Sequence, residues 1–252
     1  MSGLWTIYRR ELSGLFLAPL AWVVLCLALV VNGFVFVQYL APVAMGGTGG
    51  DVRMSMSLVL AGDLFWWFTI LMPPLLTMRM ISEEARSGVL EFLLTAPVTD
   101  AAVVLGKLLA ATTLMTVLWS SVLCYGLVSQ ALGTPPDWIP TLLGVCGATL
   151  VSALFCAIGL VASAATNTPL VAAFLAVVAN LVVLLLPSLD QLLGLPPGHW
   201  MHVALGHMSV ASQYRASFGV GVLDTKHAVF FVAWTGFFVF LATRLLETRR
   251  WR

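Results

Sequence analysis

The chain has 252 residues, of which 60% are hydrophobic and 9% charged, and its formal net charge is +1. Soluble domains carry charge on about a quarter of their residues, so this composition excludes an ordinary soluble fold and marks an integral membrane protein. The near balance of charge gives no sign of a nucleic-acid partner.

A membrane-crossing helix needs about 20 predominantly apolar residues, and six such spans can be placed, which leaves too little sequence for a separate soluble domain. Before the first comes WTIYRREL, Trp5 to Leu12, where Arg9 and Arg10 stand among aromatic and aliphatic residues. This reads as an interfacial elbow helix or, equally, as a charged flank that sets topology. Span one runs from Pro19 to Leu40. It is as long as a full crossing and lacks a small-residue cleavage site after it, so it is expected to be retained rather than cleaved as a signal peptide.

The glycine-rich MGGTGG, Met45 to Gly50, marks the following loop, and span two runs from Leu58 to Met78 with Asp63 near its outer interface. Pro73 and Pro74 remove backbone donors and are expected to kink or break this helix. Span three, Val103 to Ala131, has Lys107 near its start, placed to snorkel back to the surface. Thr112, Thr116 and Ser120 recur every four residues and share one face; that stripe either lines a substrate path or serves close helix packing.

Span four covers Ile139 to Ala165, with Gly144, Ala148 and Ser152, and also Ala153 and Ala157, at the four-residue spacing of a tight helix crossing. After the ATNTP turn, span five runs from Leu170 to Leu186, and Asn180 in its middle must find an interhelical partner or face a cavity. From Pro187 to His227 the sequence is too rich in Leu, Trp and Met for a solvated loop and is expected to form short interfacial helices. Its histidines, His199, His202, His207 and His227, lack an accompanying carboxylate or cysteine ligand pattern, so no metal site is expected.

Span six, Val229 to Leu246, ends in ETRRWR. This layout puts Arg9, Arg10, Arg79, Arg86, Lys107, Arg244, Arg249, Arg250 and Arg252 on one side, and Arg53, Arg215 and Lys226 on the other. Nine of the twelve basic residues thus fall on the side of both termini, which the positive-inside rule makes cytosolic. The four cysteines, Cys26, Cys124, Cys146 and Cys156, all lie within spans and are expected to be small buried hydrophobes rather than a disulfide or zinc framework.

Between spans two and three lies the most polar stretch, ISEEARSGVLEFLLTAPVTD, Ile81 to Asp100, holding Glu83, Glu84, Glu91 and Asp100. Ser82 is placed to cap a helix whose first turn carries Glu83 and Glu84. Val89, Leu90, Leu93 and Leu94 would give it an apolar side, leaving Arg86, Ser87 and Glu91 to water or a partner. Pro97 ends it, and Thr99 or Asp100 caps the next helix. On residues alone this is either a grip for a soluble partner or an interfacial linker.

Catalytic motifs are absent from the sequence: it has no HExxH and no nucleophile elbow. Gly106 and Lys107 do not make a phosphate-binding loop, because Leu108 follows where Ser or Thr is required and Ala101 stands where the first glycine would be. ATP, if it is the energy source, must be bound by another chain.

ISEEARSGVLEFLLTAPVTDAAVVLGKLLA resembles the cytosolic segment of ABC-2 type permeases, through Glu83, Glu84, Arg86, Ser87, Gly88, Glu91, Pro97, Gly106 and Lys107; Val89 stands where that pattern often has Thr. YRREL near the start, Phe218 to Phe231, and Leu245 to Trp251 are similar to the branch that includes gliding-motility permeases and the permease for nitrous oxide reductase maturation. The resemblance implies an all-α half-transporter of six spans with cytosolic termini in a bacterial inner membrane, and short interfacial helices between spans five and six. It would have no catalytic residue and no cofactor of its own. It would pair with a second permease copy or a related permease, with separate ATPase subunits binding ATP and Mg. Glu83, Glu84, Arg86, Ser87, Gly88 and Glu91 would form the coupling helix on the ATPase, and Thr112, Thr116, Ser120 and Asn180 are candidates to line a cavity. Membrane lipid and a periplasmic partner complete the expected surroundings; the alternative to export is transmission of ATPase motion without a transported solute.

Overall fold

The structure is a computed structural model and describes residues 2–44, 60, 62–88, 98–133, 135–188 and 200–250. Among these, every regular element is helical, and six helices are long and apolar enough to cross a membrane. A bilayer core offers backbone groups no water, so each crossing segment must satisfy its own N–H and C=O groups, which a helix does.

Helix α1, Ser2–Leu17, turns at Ala18 into α2, Pro19–Ala44. The expected elbow is therefore longer than Trp5 to Leu12. Helix α3, Asp63–Thr77, leads to the six-residue α4, Ser82–Ser87. The long spans α5, Asp100–Ala131, and α6, Trp138–Ala165, follow, then α7, Pro169–Leu185, with a 3-10 turn over Leu186–Ser188. Two short helices, α8, Trp200–Met208, and α9, Val210–Ala216, precede the last span, α10, Thr225–Arg250. Thr99 caps α5, its hydroxyl accepting from Ala102 N at 3.3 Å.

Helix α6 is the centre of the bundle, packed on α3, α5, α7 and α10. Its small residues permit this. Gly147 faces the ring of Phe218, Gly159 faces Thr77, and Gly144 faces Leu60, each so closely that a Cβ would fall within 3 Å of its neighbour. Ser152 accepts a 2.8 Å bond from the Trp119 indole of α5, and Ala148 and Ala157 are fully buried. The four-residue stripe of the sequence is thus a packing face. Aromatic rings fill the opposite side of the contact: Phe65 stacks on Tyr214 and touches Trp119.

Helices α7 and α10 are peripheral, with little of their span buried within the chain. Cys26, Cys124 and Cys146 also lie on outer faces, and only Cys156 is buried. The expectation of four buried thiols is corrected on three. A lipid-facing surface is already apolar, so a small hydrophobe gains nothing by burial there.

Two backbone expectations change. The Pro73–Pro74 pair does not end α3, which continues to Thr77 before turning at 78–81. Proline removes the N–H that would bond four residues back, so Pro74 leaves Ile70 O without its helical donor. Asn180 Nδ2 of α7 supplies one at 3.3 Å, and the helix persists. Ser82 is not the cap of α4 but its first residue, with Ile81 in the cap position; its hydroxyl turns back to Met78 O.

Candidate functional site

The turn from α3 into α4 is built by side chains from elsewhere in the chain. A helix leaves its last carbonyls and the next helix its first N–H groups without partners. Here Ser163, near the end of α6, meets both needs. Its Oγ accepts from Ile81 N at 3.1 Å and from Ser82 N at 3.0 Å, and donates to Met78 O at 3.1 Å. One hydroxyl thereby uses its donor and both acceptor positions.

Lys107 completes the turn from the other side. The side chain is fully buried, and its ammonium donates to Met80 O at 2.6 Å and to Glu11 Oε1 at 3.0 Å. Glu84 Oε2 lies 2.8 Å away as an ion pair. The expected snorkel is thus overturned: two carboxylates and a carbonyl sit within the protein, and a paired ammonium has no reason to reach for water. Arg10 closes the cluster, donating to Glu11 Oε1 at 2.6 Å and Glu84 Oε1 at 2.7 Å. Burial pushes the Glu11 carboxyl up, but the charge of Lys107 and the bonds from Arg10 and Lys107 outweigh this and hold it below the usual carboxylate range.

Four residues from three separate stretches therefore lock α1, α4 and α5 together. Of these, Arg10 and Glu11 were not singled out from the sequence as site residues, and neither was Ser163. A signal existed: Glu11 is the sole carboxylate among the first fifty residues, and a lysine a few residues into an apolar span needs a counterion.

Helix α4 carries Glu83, Glu84, Arg86 and Ser87, closed by Gly88 at φ 74°, the left-handed cap conformation that favours glycine. Glu84 points inward into the cluster, whereas Glu83, Arg86 and Ser87 are exposed. Glu91 lies outside the described residues, as do Val89, Leu90, Leu93, Leu94 and Pro97. The same end of the bundle holds Arg249, which donates to Asn167 Oδ1 at 2.7 Å and Thr166 O at 3.1 Å. Arg215 of α9 and Lys226 of α10 belong to the other end, where Tyr214 bonds Gly144 O at 3.2 Å near the start of α6.

The hydroxyl stripe of α5 bonds largely to its own helix. Thr116 Oγ1 donates to Thr112 O at 2.8 Å and Ser120 Oγ to Val117 O at 2.7 Å, while the Thr112 hydroxyl is buried without a partner. Asn180 is fully buried between α7 and α3. Thr112, Thr116 and Ser120 thus stand on α5, and Asn180 stands on α7 with its amide turned to α3. Among the described residues no group of three His, Cys, Asp or Glu side chains is placed to hold a metal ion; His199 and the side chain of His202 fall outside them. His227 pairs with Gln213.

No curated protein matches this sequence. A family model described as "ABC-2 family transporter protein" matches residues 30–251, most of the chain. Six apolar helices and a charged corner built around the α3–α4 turn stand together with that match: the chain belongs to the ABC-2 transporter family.

Proposed function

We propose that the chain is the membrane subunit of an ATP-driven exporter and that α4 is the helix on which a separate ATPase subunit, holding ATP and Mg, docks. Family membership supports an ABC ATPase partner in general. The observation that carries the assignment to α4 is its two-sidedness. Inward, Glu84 and the first N–H groups are fixed to α1, α5 and α6; outward, Glu83, Arg86 and Ser87 are exposed. A partner that pushes on such a handle moves the spans attached to it, and ATP shifts the equilibrium only as far as the partner grips the two states differently.

Arg9, Arg10, Arg79, Arg86, Arg244 and Arg249 lie toward the end of the bundle that carries α4, which by the positive-inside rule supports reading that end as cytosolic, with the start of α1 and the end of α10 on the same side; we read the membrane as a bacterial inner membrane from the resemblance. The sparsely buried sides of α7 and α10 suit lipid and a second permease copy or a related permease. We assign Glu91 to the same coupling segment from the resemblance alone, and the resemblance of YRREL, Phe218 to Phe231 and Leu245 to Trp251 supports the branch of gliding-motility and nitrous-oxide-reductase-maturation permeases.

A second reading, transmission of ATPase motion to a periplasmic partner without a solute, is favoured by the α5 stripe. Thr116 and Ser120 direct their hydroxyl protons to their own backbone and keep only acceptor positions for a neighbour, which leaves few donors to line a path inside one chain. In the exporter reading, Thr112, Thr116, Ser120 and Asn180 would turn to a path only as the spans shift. The charge reversal Glu83→Arg with Arg86→Glu tests the docking surface. It is expected to abolish ATPase association and stimulation while the permease stays inserted and folded; unchanged association and stimulation would overturn the assignment. Vectorial transport in liposomes separates export from transmission.

A further inference from the structure

Between the α1–α2 elbow on one side and the end of α3 with α4 on the other lies a cleft of about 460 Å³, a size typical of sites for small ligands. Its floor is apolar, formed by Leu15, Ala18, Ala21, Leu75 and Leu76. Its rim is charged and carries both signs, through Arg10, Arg79, Glu83 and Glu84. Gly14 opens onto it with no atom within 4 Å of where a Cβ would stand.

The rim charges are not equally engaged. Arg10 and Glu84 are committed to the buried cluster. Arg79 and Glu83 are 65% and 58% exposed and approach each other only to 3.9 Å, beyond hydrogen-bond distance. The cleft therefore presents one guanidinium and one carboxylate with bonding capacity to spare, side by side above an apolar floor. Trp5, Leu17 and Trp22 project from the same elbow, each more than half exposed, as side chains do at a bilayer interface.

We infer that this cleft binds a zwitterionic phospholipid bearing a primary ammonium, such as phosphatidylethanolamine. The phosphate would lie on Arg79, the ammonium on Glu83, and the glycerol and first methylenes on the Leu15–Leu75–Leu76 floor. Guanidinium pairs with phosphate in a forked geometry, and an ammonium offers Glu83 N–H donors that a trimethylammonium lacks. An anionic lipid would satisfy Arg79 but leave Glu83 repelled. Glu83 also belongs to the surface of α4 assigned above to the ATPase, so the two readings share that residue; the test below reads lipid binding to the chain alone, with no ATPase present, and its outcome does not depend on the docking reading.

The full chain, purified in detergent, is titrated with dioleoyl-phosphatidylethanolamine, -phosphatidylcholine and -phosphatidylglycerol, and bound lipid is read by native mass spectrometry. One charge-assisted hydrogen bond separates the first two lipids, so the ethanolamine form is expected to bind about tenfold more tightly than choline. Glu83→Gln should bring the two to parity, Arg79→Gln should weaken both, and Gly14→Trp should fill the cleft and remove the preference. Circular dichroism and gel filtration establish that each variant is folded; Glu83→Gln is exposed and isosteric, so it carries the test should Gly14→Trp fail to fold. Equal retention of the three lipids by the parent chain, or an ethanolamine preference that survives Glu83→Gln, would overturn the inference. Glycerophosphoethanolamine binding as tightly as the intact lipid would overturn the lipid as occupant.

Discussion

The Lys107 ammonium lies 2.8 Å from Glu84 Oε2, joining the third span to the short helix that follows the second. Lys107 is fully buried and Glu84 is partly buried, its side chain 16% exposed, and the pair is supported by Glu11, Arg10 and Met80 O rather than isolated. Removing one member of a buried charge pair costs more than the pair is worth, because the remaining charges lose their compensation. Lys107→Met is therefore expected to destabilise the folded chain by about 3 kcal/mol, read as a lowered Tm in detergent. Adding Glu84→Gln to that variant should recover part of the loss; additive losses would show that the two residues do not act as a pair.

Ser163→Ala tests the turn from the α6 side. It strips the acceptor from Ile81 N and Ser82 N and a donor from Met78 O, in surroundings where Ile81 and Ser82 are fully buried. The expected cost is about 1–2 kcal/mol. Faster hydrogen exchange should be confined to the turn and α4, with Ser163→Thr close to the parent. Unchanged exchange at Ile81 and Ser82 would rule out Ser163 as their cap.

The six spans were legible because bilayer thickness fixes a length and a composition that a hydropathy reading detects without tertiary knowledge. Boundaries of spans three to six agree to within a few residues, and the Gly144–Ala148–Ser152 stripe reads correctly as packing for the same local reason. The corner was not legible. Ser82 before two glutamates is a local capping signature, and it loses to Ser163, 81 residues away. Lys107 near a span end reads as a snorkel by position alone; its partner Glu11 stands 96 residues earlier on a helix whose return to that site no periodicity predicts. The roles of Pro73 and Pro74 were half legible: the freed carbonyl of Ile70 follows from spacing, the donor from another span does not.

Close approach of α6 to α3 rests on Gly159, where an added Cβ would stand 2.1 Å from Thr77 Oγ1. Thr77 cannot swing aside freely, because that hydroxyl donates to Pro73 O at 2.8 Å. Gly159→Ala should cost about 1–3 kcal/mol as overpacking, visible as a Tm decrease. Thr77→Ala in the same chain should restore part of it by removing the obstructing oxygen. A Gly159→Ala chain as stable as the parent would show that α3 and α6 have room to separate.

The charge cluster also predicts a response to acid. Glu11 has its carboxyl held below the ordinary value of 4.5 in the folded chain, so the unfolded chain binds the proton first as pH falls. Its contribution to stability is complete above pH 4.5 and is lost as pH drops through the lower folded value. Melts in detergent should thus show the Glu11 contribution constant from neutral pH down to that point and falling beneath it. Glu11→Gln should be less stable at neutral pH and should flatten the acid side of the profile; an acid slope identical to the parent's would mean that Glu11 is not the group being titrated.

Asn180 and Pro74 form the remaining testable pair, and the two make opposite demands on one carbonyl. Pro74 has no N–H for Ile70 O, and Asn180 Nδ2 provides the donor from α7 at 3.3 Å. Inside a span no water is available to replace it, so Asn180→Leu leaves a buried carbonyl unpaired. The same substitution removes Asn180 Oδ1, itself buried without a partner, which offsets part of the penalty and brings the expected loss to about 1 kcal/mol. Pro74→Ala restores the N–H that completes the helical bond to Ile70 O. In that background Asn180→Leu should cost nothing or stabilise the chain, since only the unpaired Oδ1 is then lost. The sign of the coupling, measured by thermal unfolding of the two single variants and the double, decides the matter. Equal losses from Asn180→Leu with and without Pro74 would show that Asn180 holds α7 to α3 for a reason other than the missing proline donor.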